Sequence, residues 1–593
     1  MLFLKGHGRH VVPDGTRSAP NYPAHTCVSE ACGFAPGEPV PSVANNTGPF
    51  GYYFENATIP EDGETVTKAL DDLAKAMVEQ PADGTNNSAI PPVFTYFGQF
   101  IDHDITANTD REAGLSTIAE DVITTVPRTE VKAKLGNLRA GALNLDSLYG
   151  GGPLQGQIAK DFDKVLRHPT LKAKMWVGTQ SLVSNEEVPL PKDPGRDLLR
   201  LRRVLDKNIP GFTEQDVKNL PKEIRNLFYN ENIDLFVDQR AIIGDARNDE
   251  NLFVAQFHLA MLRFHNRVVD AAHKFGGPVG DEDRLYEWAR QQVTWIYQWL
   301  VVNVYLKTIC DPDVVDTVLR EGAPLYDAFQ RDHPAPGDGL LPMPLEFSVA
   351  SFRFGHSMVR HSYDWNRFFG RKVGEPDDPD RAVFSLLFAF TGNGKPPMFG
   401  APRLPSNWVA EWDRLALPVP VAMSDRAARK IDTKIAFPLT EMDNEPGIPP
   451  EIFRNLIRRN LRRGLRLNIP CAQDCIAAIN TAHGRNLPVL SQQDLLSGTT
   501  ADALQAGGFE KKTPLWFYVL KEAEILGRGE HLGPLGSTLV AETLAGLVVQ
   551  DTTSYWNQPG SDANNRWHPK DGAQPENEPV DDLPALLRAA LLL

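Results

Sequence analysis

A polar cluster inside an apolar stretch is the first candidate site in the sequence. Residues 98–104 read GQFIDHD, which places a glutamine, a histidine and two aspartates among aromatic and aliphatic residues. Polar groups in such surroundings must be hydrogen-bonded or serve a chemical function. In a helix, Gln99, Asp102 and His103 would share one face, because residues three and four apart align. Asp104 would point about 100° away, so one helix would serve two sites. The alternative is a buried histidine held between two carboxylates for packing.

A second polar cluster, GDARNDEN at residues 244–251, comes directly before a long amphipathic segment. Arg247 and Glu250 are three residues apart, so on a helical turn they project the same way. A solvated helix start, whose acidic residues favour the helix dipole, is the simpler explanation of this cluster taken alone. Further along, His258 and His265 fall on an inward face, where hydrogen-bonded core histidines are the expected interpretation.

Two further clusters contain imidazole and guanidinium groups. One reads SFRFGHSMVRH, in which His356 lies between aromatic residues and a methionine and Arg353 comes three positions earlier. The other reads RNLIRRNLRRGLR, a solvated basic helix by composition that also contains Asn460 and Arg463. Taken separately, neither cluster specifies a function.

Together, the four clusters resemble the haem peroxidases of the animal type. This superfamily also holds cyclooxygenases, myeloperoxidase, peroxinectins and many bacterial proteins. The resemblance runs from about residue 94 to residue 548 and includes the segments DSLYG, RFHNR and PLWFYVLKEAE. It implies a mainly α fold, with one large helical domain that holds haem b between core helices, and a reaction with hydrogen peroxide.

The resemblance also implies roles for the residues around the haem iron. His103 would be the distal imidazole that takes a proton from hydrogen peroxide and returns it to the leaving oxygen. Arg247 would stabilise the charge that develops as the O–O bond breaks. His356 would be the iron ligand, and the amide oxygen of Asn460 would accept its N–H. Gln99 matches the glutamine that helps to bind halide and distal water.

Four further residues match groups that hold the haem periphery. Asp102 and Glu250 match two carboxylates that form ester bonds to haem methyl groups during peroxide turnover. Arg353 and Arg463 match the arginines that hold the haem propionates. Asn251 stands where myeloperoxidase has a methionine that forms a sulfonium link, so this chain cannot form that third bond.

A calcium site is implied on the other face of the first cluster. Asp104 matches the family's calcium ligand, and a loop that reads AGALNLDSLYG would complete the site. Its alternate residues would present oxygens on one side, as hard cations require: Ala140, Ala142, Asn144 and Asp146. Ala140 replaces a hydroxyl residue and Asn144 replaces a common aspartate.

The expected reductants are small anions such as iodide, bromide and thiocyanate, or phenolic and aromatic one-electron donors. A fatty-acid dioxygenase of the same superfamily is the first alternative, but it needs a tyrosine three residues before the proximal histidine, where this chain has Arg353. The second alternative is a non-catalytic haem protein that serves adhesion, which the presence of both His103 and Arg247 disfavours.

Charge and hydropathy narrow the range of possible binding partners. The 593 residues carry a formal net charge of -15, which disfavours nucleic acid and anionic membranes. The longest uncharged run, residues 291–306, is too short and too polar to span a membrane and predicts a buried helix. The N-terminus shows no conventional export signal, so a cytoplasmic or non-classically secreted protein is expected. A monomer and a homodimer are both compatible with the sequence.

The elements that position these residues are predicted to be helices separated by loops rich in proline and glycine. Apolar spacings of three and four residues indicate helices within 65–80, 216–228, 250–275, 282–309, 513–526 and 537–550. Prolines and glycines favour an irregular arm over residues 1–60, followed by the peroxidase domain over 61–556. The composition of residues 557–593 predicts a polar connector and a short helix.

The five cysteines are most simply interpreted as free thiols, although Cys27 and Cys32 could form a disulfide that closes a loop.

Overall fold

The structure is a computed structural model that describes most of residues 48–593. It leaves out 56–62, 80–85, 108–114, 116–117, 151–165, 183–192, 208–212, 220–224, 226–227, 232–233, 336–339, 371–382, 393–402, 443–450 and 563–564. The predicted N-terminal arm lies outside the described residues up to residue 47, and so do Cys27 and Cys32. Cys310, Cys471 and Cys475 are buried thiols.

Helices account for about 52% of the structure, which confirms the mainly α fold of a single domain. In the described part of the chain the α-helices are α1 (Glu64–Ala76), α2 (Val93–Ile105), α3 (Arg128–Lys134), α4 (Asp146–Tyr149), α5 (Leu201–Leu205), α6 (Glu214–Lys218), α7 (Leu252–Ala271), α8 (Glu282–Leu300), α9 (Leu306–Ile309), α10 (Pro312–Glu321), α11 (Pro324–Asp332), α12 (Glu451–Arg454), α13 (Leu456–Arg466), α14 (Ala472–His483), α15 (Gln492–Leu495), α16 (Ala501–Ala506), α17 (Leu515–Ile525), α18 (Pro534–Gln550) and α19 (Leu583–Ala589).

Strands are short in the described residues. They are β1 (Gly48–Gly51), β2 (Gly136–Asn137), β3 (Tyr229–Asn230), β4 (Leu235–Phe236) and β5 (Met343–Pro344). β1 pairs antiparallel with β2 and parallel with β5, and β3 pairs antiparallel with β4. The end of the predicted arm therefore forms a strand that ties the chain to the helical body.

Helix α2 lies at the centre of the domain. All of its residues are buried except Gln99, which is half-buried, so the helix has no solvent face. It packs against α7, α4 and a short 3₁₀ helix, Ser351–His356. The GQFIDHD cluster is thus carried by the most enclosed helix of the site, and its polar groups must find partners inside the protein.

Two long helices frame α2. The amide of Asn251 caps α7, because its Oδ1 accepts from the backbone N–H groups of Phe253 and Val254 at 3.1 Å each. Helix α8 continues into a π-helical turn, Val301–Tyr305, so the predicted helix over 282–309 is not a regular α-helix throughout. A β-carbon on Gly98 would overlap the hydroxyl of Tyr305, so a glycine is required for α2 and this turn to approach each other.

The C-terminal helices support the other side of the domain. Helix α17 packs against α18, α13 and the 351–356 segment. Oε2 of Glu522 on α17 accepts from the backbone N–H groups of Leu535 and Gly536 at the start of α18, at 2.9 and 3.1 Å. Helix α19, near the C-terminus, packs against α7.

Candidate active site

A cavity of about 90 Å³ is lined by residues of α2, of the 244–251 segment and of the 351–356 segment, among others. Most of its lining residues are aromatic or aliphatic, or are methionines. Its polar lining residues are Thr95, Gln99, Glu250, Asn251 and His356. The structure therefore brings all four sequence clusters to one cavity, the fourth through Leu456, and Asn460 of that cluster contacts His356.

Gln99 and Glu250 are joined directly across this cavity wall. Nε2 of Gln99 donates to Oε1 of Glu250, and Oε1 of Gln99 accepts from Nδ2 of Asn251 at 3.0 Å. Asn251 thus uses its oxygen to cap α7 and its nitrogen to hold Gln99. The amide of Gln99 is fixed in one orientation by these two contacts.

Asp102 and His103 follow Gln99 on α2 but are not part of the cavity lining. Oδ1 of Asp102 accepts from the hydroxyl of Thr106 at 2.9 Å, and its Oδ2 lies 3.6 Å from Nη1 of Arg353. Burial raises the pKa of Asp102, but the charges of Arg353 and Arg247 and the hydrogen bond from Thr106 together outweigh it and hold the pKa below its usual value. This ion pair links α2 to the segment that carries His356.

His103 is fully buried and bonded to a residue that the sequence did not single out. Its Nδ1 lies 2.8 Å from Oδ1 of Asn248. Burial, together with the positive charge of Arg247, lowers the pKa of His103 to about 3. The imidazole is therefore neutral at physiological pH, which is the state that can accept a proton.

Arg247 lies behind His103 in a buried ion network. Its Nη2 donates to the backbone oxygens of His103 and Thr106 at 2.7 and 2.9 Å and to Oδ2 of Asp245 at 2.8 Å. Asp245 also binds Nη2 of Arg139. The guanidinium thus holds the C-terminal carbonyls of α2 and does not line the cavity, although its charge lies beside His103.

On the opposite wall, His356 is 8% exposed and faces the cavity. Its Nδ1 lies 2.8 Å from Nδ2 of Asn460, and its ring lies edge-on to Trp516 with 6.5 Å between ring centroids. The predicted pair is present with the reverse amide orientation, since the amide nitrogen and not the oxygen faces the imidazole. A 180° rotation of the amide would let Asn460 accept from His356 without displacing either backbone.

Arg463, three residues after Asn460 on α13, is half-buried. The neighbouring arginines are not solvated as the composition suggests. Nη2 of Arg458 and Nη2 of Arg462 both donate to Oδ2 of Asp71 on α1, at 2.7 and 2.6 Å. The basic helix is thus an internal clamp between α13 and α1.

Asp104 points away from the cavity into the 140–150 loop. Its two oxygens accept from the backbone N–H groups of Leu145 and Ser147 at 3.1 and 3.0 Å. Burial and the nearby charge of Asp146 raise the pKa of Asp104 to about 7. Leu145 has a left-handed φ of 60°, a strained conformation for leucine that this contact helps to hold.

The other predicted calcium ligands belong to the same loop. Oδ2 of Asp146 accepts from the backbone N–H of Ala140 at 3.1 Å, and Ala142 is buried nearby in the chain. Oδ1 of Asn144 is buried without a hydrogen-bond partner among the described residues. Two buried carboxylates and one buried amide oxygen are a donor set that suits a hard cation.

Comparison with solved structures shows which proteins share this fold. The structure of peroxidase A from Dictyostelium discoideum aligns over 86% of this chain and 88% of its own, with a TM-score of 0.50 and 17% identity. The fatty acid alpha-dioxygenase of Oryza sativa aligns over 90% of this chain and 82% of its own, with a TM-score of 0.50 and 12% identity. At these identities the two structures establish a shared fold only.

The family model for animal haem peroxidases matches residues 207–379, a segment that contains Arg247, Glu250, Arg353 and His356. Heme peroxidase 2 of Caenorhabditis elegans is 25% identical over 166 residues, which are 28% of this chain and 22% of that protein. The match to the family model and the similarity to curated peroxidases support the resemblance to the peroxidase–cyclooxygenase superfamily that the motifs predict. It matches at most about a quarter of the length of its curated relatives.

Within the residues that the structure describes, no helix has both the length and the apolar character needed to cross a membrane.

Proposed function

We propose that the chain is a haem peroxidase that reduces hydrogen peroxide and oxidises small anions or phenolic and aromatic one-electron donors. The observation that carries the proposal is the shared cavity, with Gln99 and Glu250 on one wall and His356 on the other. His103, the candidate acid–base group, does not line the cavity but lies four residues after Gln99 on the same helix, while the candidate iron ligand His356 lines the cavity directly.

The residues around the cavity suit a haem group. The cavity lining is largely apolar and has few polar residues, among them His356, as in a buried cofactor site. His356 would ligate the iron, with Asn460 behind it, and Arg353 and Arg463 would hold the propionates. Haem would supply the iron redox chemistry by which hydrogen peroxide is reduced.

The protein's own contribution is proton transfer and charge. His103, which is neutral in its buried position, would take the proton from one peroxide oxygen and deliver it to the other. The guanidinium of Arg247 holds the backbone of His103 and keeps a positive charge beside it, which favours negative charge developing nearby.

The proposal is tested by the rate of reaction with hydrogen peroxide per bound haem. His103→Ala should retain haem and react about 10²- to 10⁴-fold more slowly, the range typical of acid–base groups. His265→Gln is a matched control, because His265 is another buried histidine, bonded to Tyr149 and Ala173 outside the cavity. A wild-type rate in His103→Ala would contradict the assignment.

The expected class of reductant follows from the polar residues that line the cavity. Gln99 and Asn251 offer amide groups beside Glu250, which suits small anions, and the chain has Asn251 where a sulfonium-forming methionine would stand. Iodide, bromide, thiocyanate and phenols should therefore be oxidised faster than chloride. Steady-state kinetics with these donors measures the order, and chloride as the best donor would reject it.

We also propose ester links from Asp102 and Glu250 to haem methyl groups. Each bond converts a methyl to a methylene ester, losing a proton and two electrons, with hydrogen peroxide as the oxidant. Peroxide treatment should increase the fraction of haem that stays with the polypeptide on denaturing chromatography. Asp102→Val and Glu250→Gln should each leave one bond, and the double variant none. Haem that stays extractable from treated parent protein would refute the links.

A calcium ion held by Asp104, Asp146, Asn144 and the carbonyls of Ala140 and Ala142 is the third proposed feature. Its support is the pair of buried carboxylates and the buried amide oxygen of Asn144. Chelation should lower both thermal stability and activity, because the ion would fix the helix that carries His103. Elemental analysis that finds no calcium in active, exhaustively dialysed protein would exclude it.

The likeness to the fatty acid alpha-dioxygenase concerns the fold alone and does not favour that activity. The residue three before His356 is Arg353, which pairs with Asp102, so the tyrosine of a dioxygenase is missing at that position. A non-catalytic scaffold would not require the ordered contacts of His103 and Gln99.

A further inference from the structure

We propose that Asn248, held by His258, fixes the tautomer and orientation of His103 and is therefore a positioning residue of the active site. The inference rests on the proposed function, because it assigns Asn248 and His258 to the proton-transfer group of that function. Neither residue touches the cavity, so neither is a catalytic residue.

The hydrogen bonds form a chain with one direction. Oδ1 of Asn248 lies 2.8 Å from Nδ1 of His103, and Nδ2 of Asn248 lies 3.0 Å from Nδ1 of His258. An amide oxygen only accepts and an amide nitrogen only donates. With the amide of Asn248 in this orientation, His103 carries its proton on Nδ1, which leaves the lone pair on Nε2 as the base. A rotated amide would move that proton to Nε2 and remove the base.

The turn that carries Asn248 is fixed on both sides. Asn248 belongs to the buried 3₁₀ helix Ala246–Asp249. Before it, Arg247 donates to the backbone oxygen of His103 at 2.7 Å. After it, Asp249 accepts from Nη1 of Arg200 at 2.7 Å. One turn thus holds the backbone of His103 through Arg247 and its ring through Asn248.

His258 has a single described hydrogen bond, and that bond is to Asn248. The residue is fully buried on α7, and its Nε2 has no hydrogen-bond partner among the described residues. If the imidazole served only packing, its burial would cost more free energy than the burial of a leucine or phenylalanine of similar size. The hydrogen bond to Asn248 is therefore the reason for an imidazole at this position.

The test compares polar and apolar replacements of the residues in this chain of hydrogen bonds. Asn248→Leu should keep haem and lower the rate with hydrogen peroxide by about 100-fold, the lower end of the acid–base range. His258→Leu should lower it about tenfold, because the amide loses its anchor, and His258→Gln should recover most of that loss since its amide oxygen can accept from Asn248. Asn366→Leu is the control: this buried asparagine bonds the backbone of Asn407 and Val409, and its loss should change stability but not the rate per haem.

A direct measurement of the tautomer separates positioning from a general loss of structure. In the full-length chain without haem, labelled with ¹⁵N-histidine, long-range proton–nitrogen correlation spectra should show His103 protonated on Nδ1, with the signal identified by its absence in His103→Gln. In Asn248→Leu this preference should be lost. An Nε2-protonated His103 in the parent, or an unchanged tautomer in Asn248→Leu, would overturn the inference. A parent chain that binds no haem would refute the proposed function, while the spectra would still decide the role of Asn248.

Discussion

Buried carboxyl groups around the cavity are stabilised in two different ways. Behind α2, the carboxylate of Asp245 lies between the guanidinium groups of Arg139 and Arg247. On the scaffold of the His356 side, Glu346 and Glu522 accept from backbone N–H groups. The first arrangement neutralises a charge with opposite charges, and the second places a carboxyl among neutral donors.

This difference gives Asp245 and the two glutamates opposite responses to pH. Burial would raise the pKa of Asp245, but Arg247 and Arg139 hold it well below its usual value. Burial raises the pKa of Glu346 to about 7 and that of Glu522 to about 8. The stability contributed by Asp245 is present above its unfolded pKa and is lost on acidification, whereas that of the glutamates is lost as the pH rises.

The largest expected effect separates the roles of the two walls. His356 is the one histidine among the described residues that line the cavity. His356→Ala should therefore lose nearly all bound haem, because no other imidazole can replace the iron ligand. His103→Ala should keep its haem. Haem stoichiometry, measured by absorbance after extraction, checks this, and full haem content in His356→Ala would show that the two walls have been assigned the wrong roles.

A smaller effect tests the ion network behind α2. Asp245→Asn leaves two buried guanidinium groups without their shared carboxylate, and breaking a buried ion pair costs about 3–5 kcal/mol. Asp72→Asn is the matched control, since Asp72 also lies between two cations, Lys68 and Lys75, but is 40% exposed. That exchange should cost about 1 kcal/mol or less. Denaturant unfolding of both variants measures the contrast, and equal losses would contradict it.

The sequence predicts the helices and motifs well because both are local. Apolar periodicity predicts most of α1, α7 and α17, and spacing along α2 predicts that Asp104 points away from Gln99. The contacts between motifs are not local. Asp245 meets Arg139 from 106 residues away, and Asn248 meets His103 from 145 residues away.

Composition was a poor guide where charge is internal. The arginines of α13 read as a solvated basic face, yet Arg462 is buried against Asp71 of α1. His258 was expected to be a hydrogen-bonded core histidine, which the structure confirms, but its partner could not be read from its own helix. A glutamate and a lysine four residues apart, or a helix cap, can be recognised in a sequence. A contact between distant turns depends on the completed fold.

The smallest expected effect tests the other side of the comparison. Glu522 accepts from the N–H groups of Leu535 and Gly536, and Oε1 of its carboxyl is buried without a hydrogen-bond partner among the described residues. Its pKa of about 8 in the folded protein exceeds that of an unfolded glutamate, so the folded state binds the proton more tightly. The stability that this proton contributes is complete below the unfolded pKa and is lost as the pH rises towards about 8, with a slope of at most about 1.4 kcal/mol per pH unit.

Glu522→Gln keeps an oxygen for the two N–H groups and cannot ionise, so it should lose less stability than the parent between pH 5 and about pH 8. Glu130→Gln, at a carboxylate that is 44% exposed and paired with Lys134, controls for the loss of one negative charge. Unfolding free energies across this range decide the matter: parallel curves for Glu522→Gln and the parent would mean that Glu522 is ionised in the folded protein and that both sides of the cavity rely on charge.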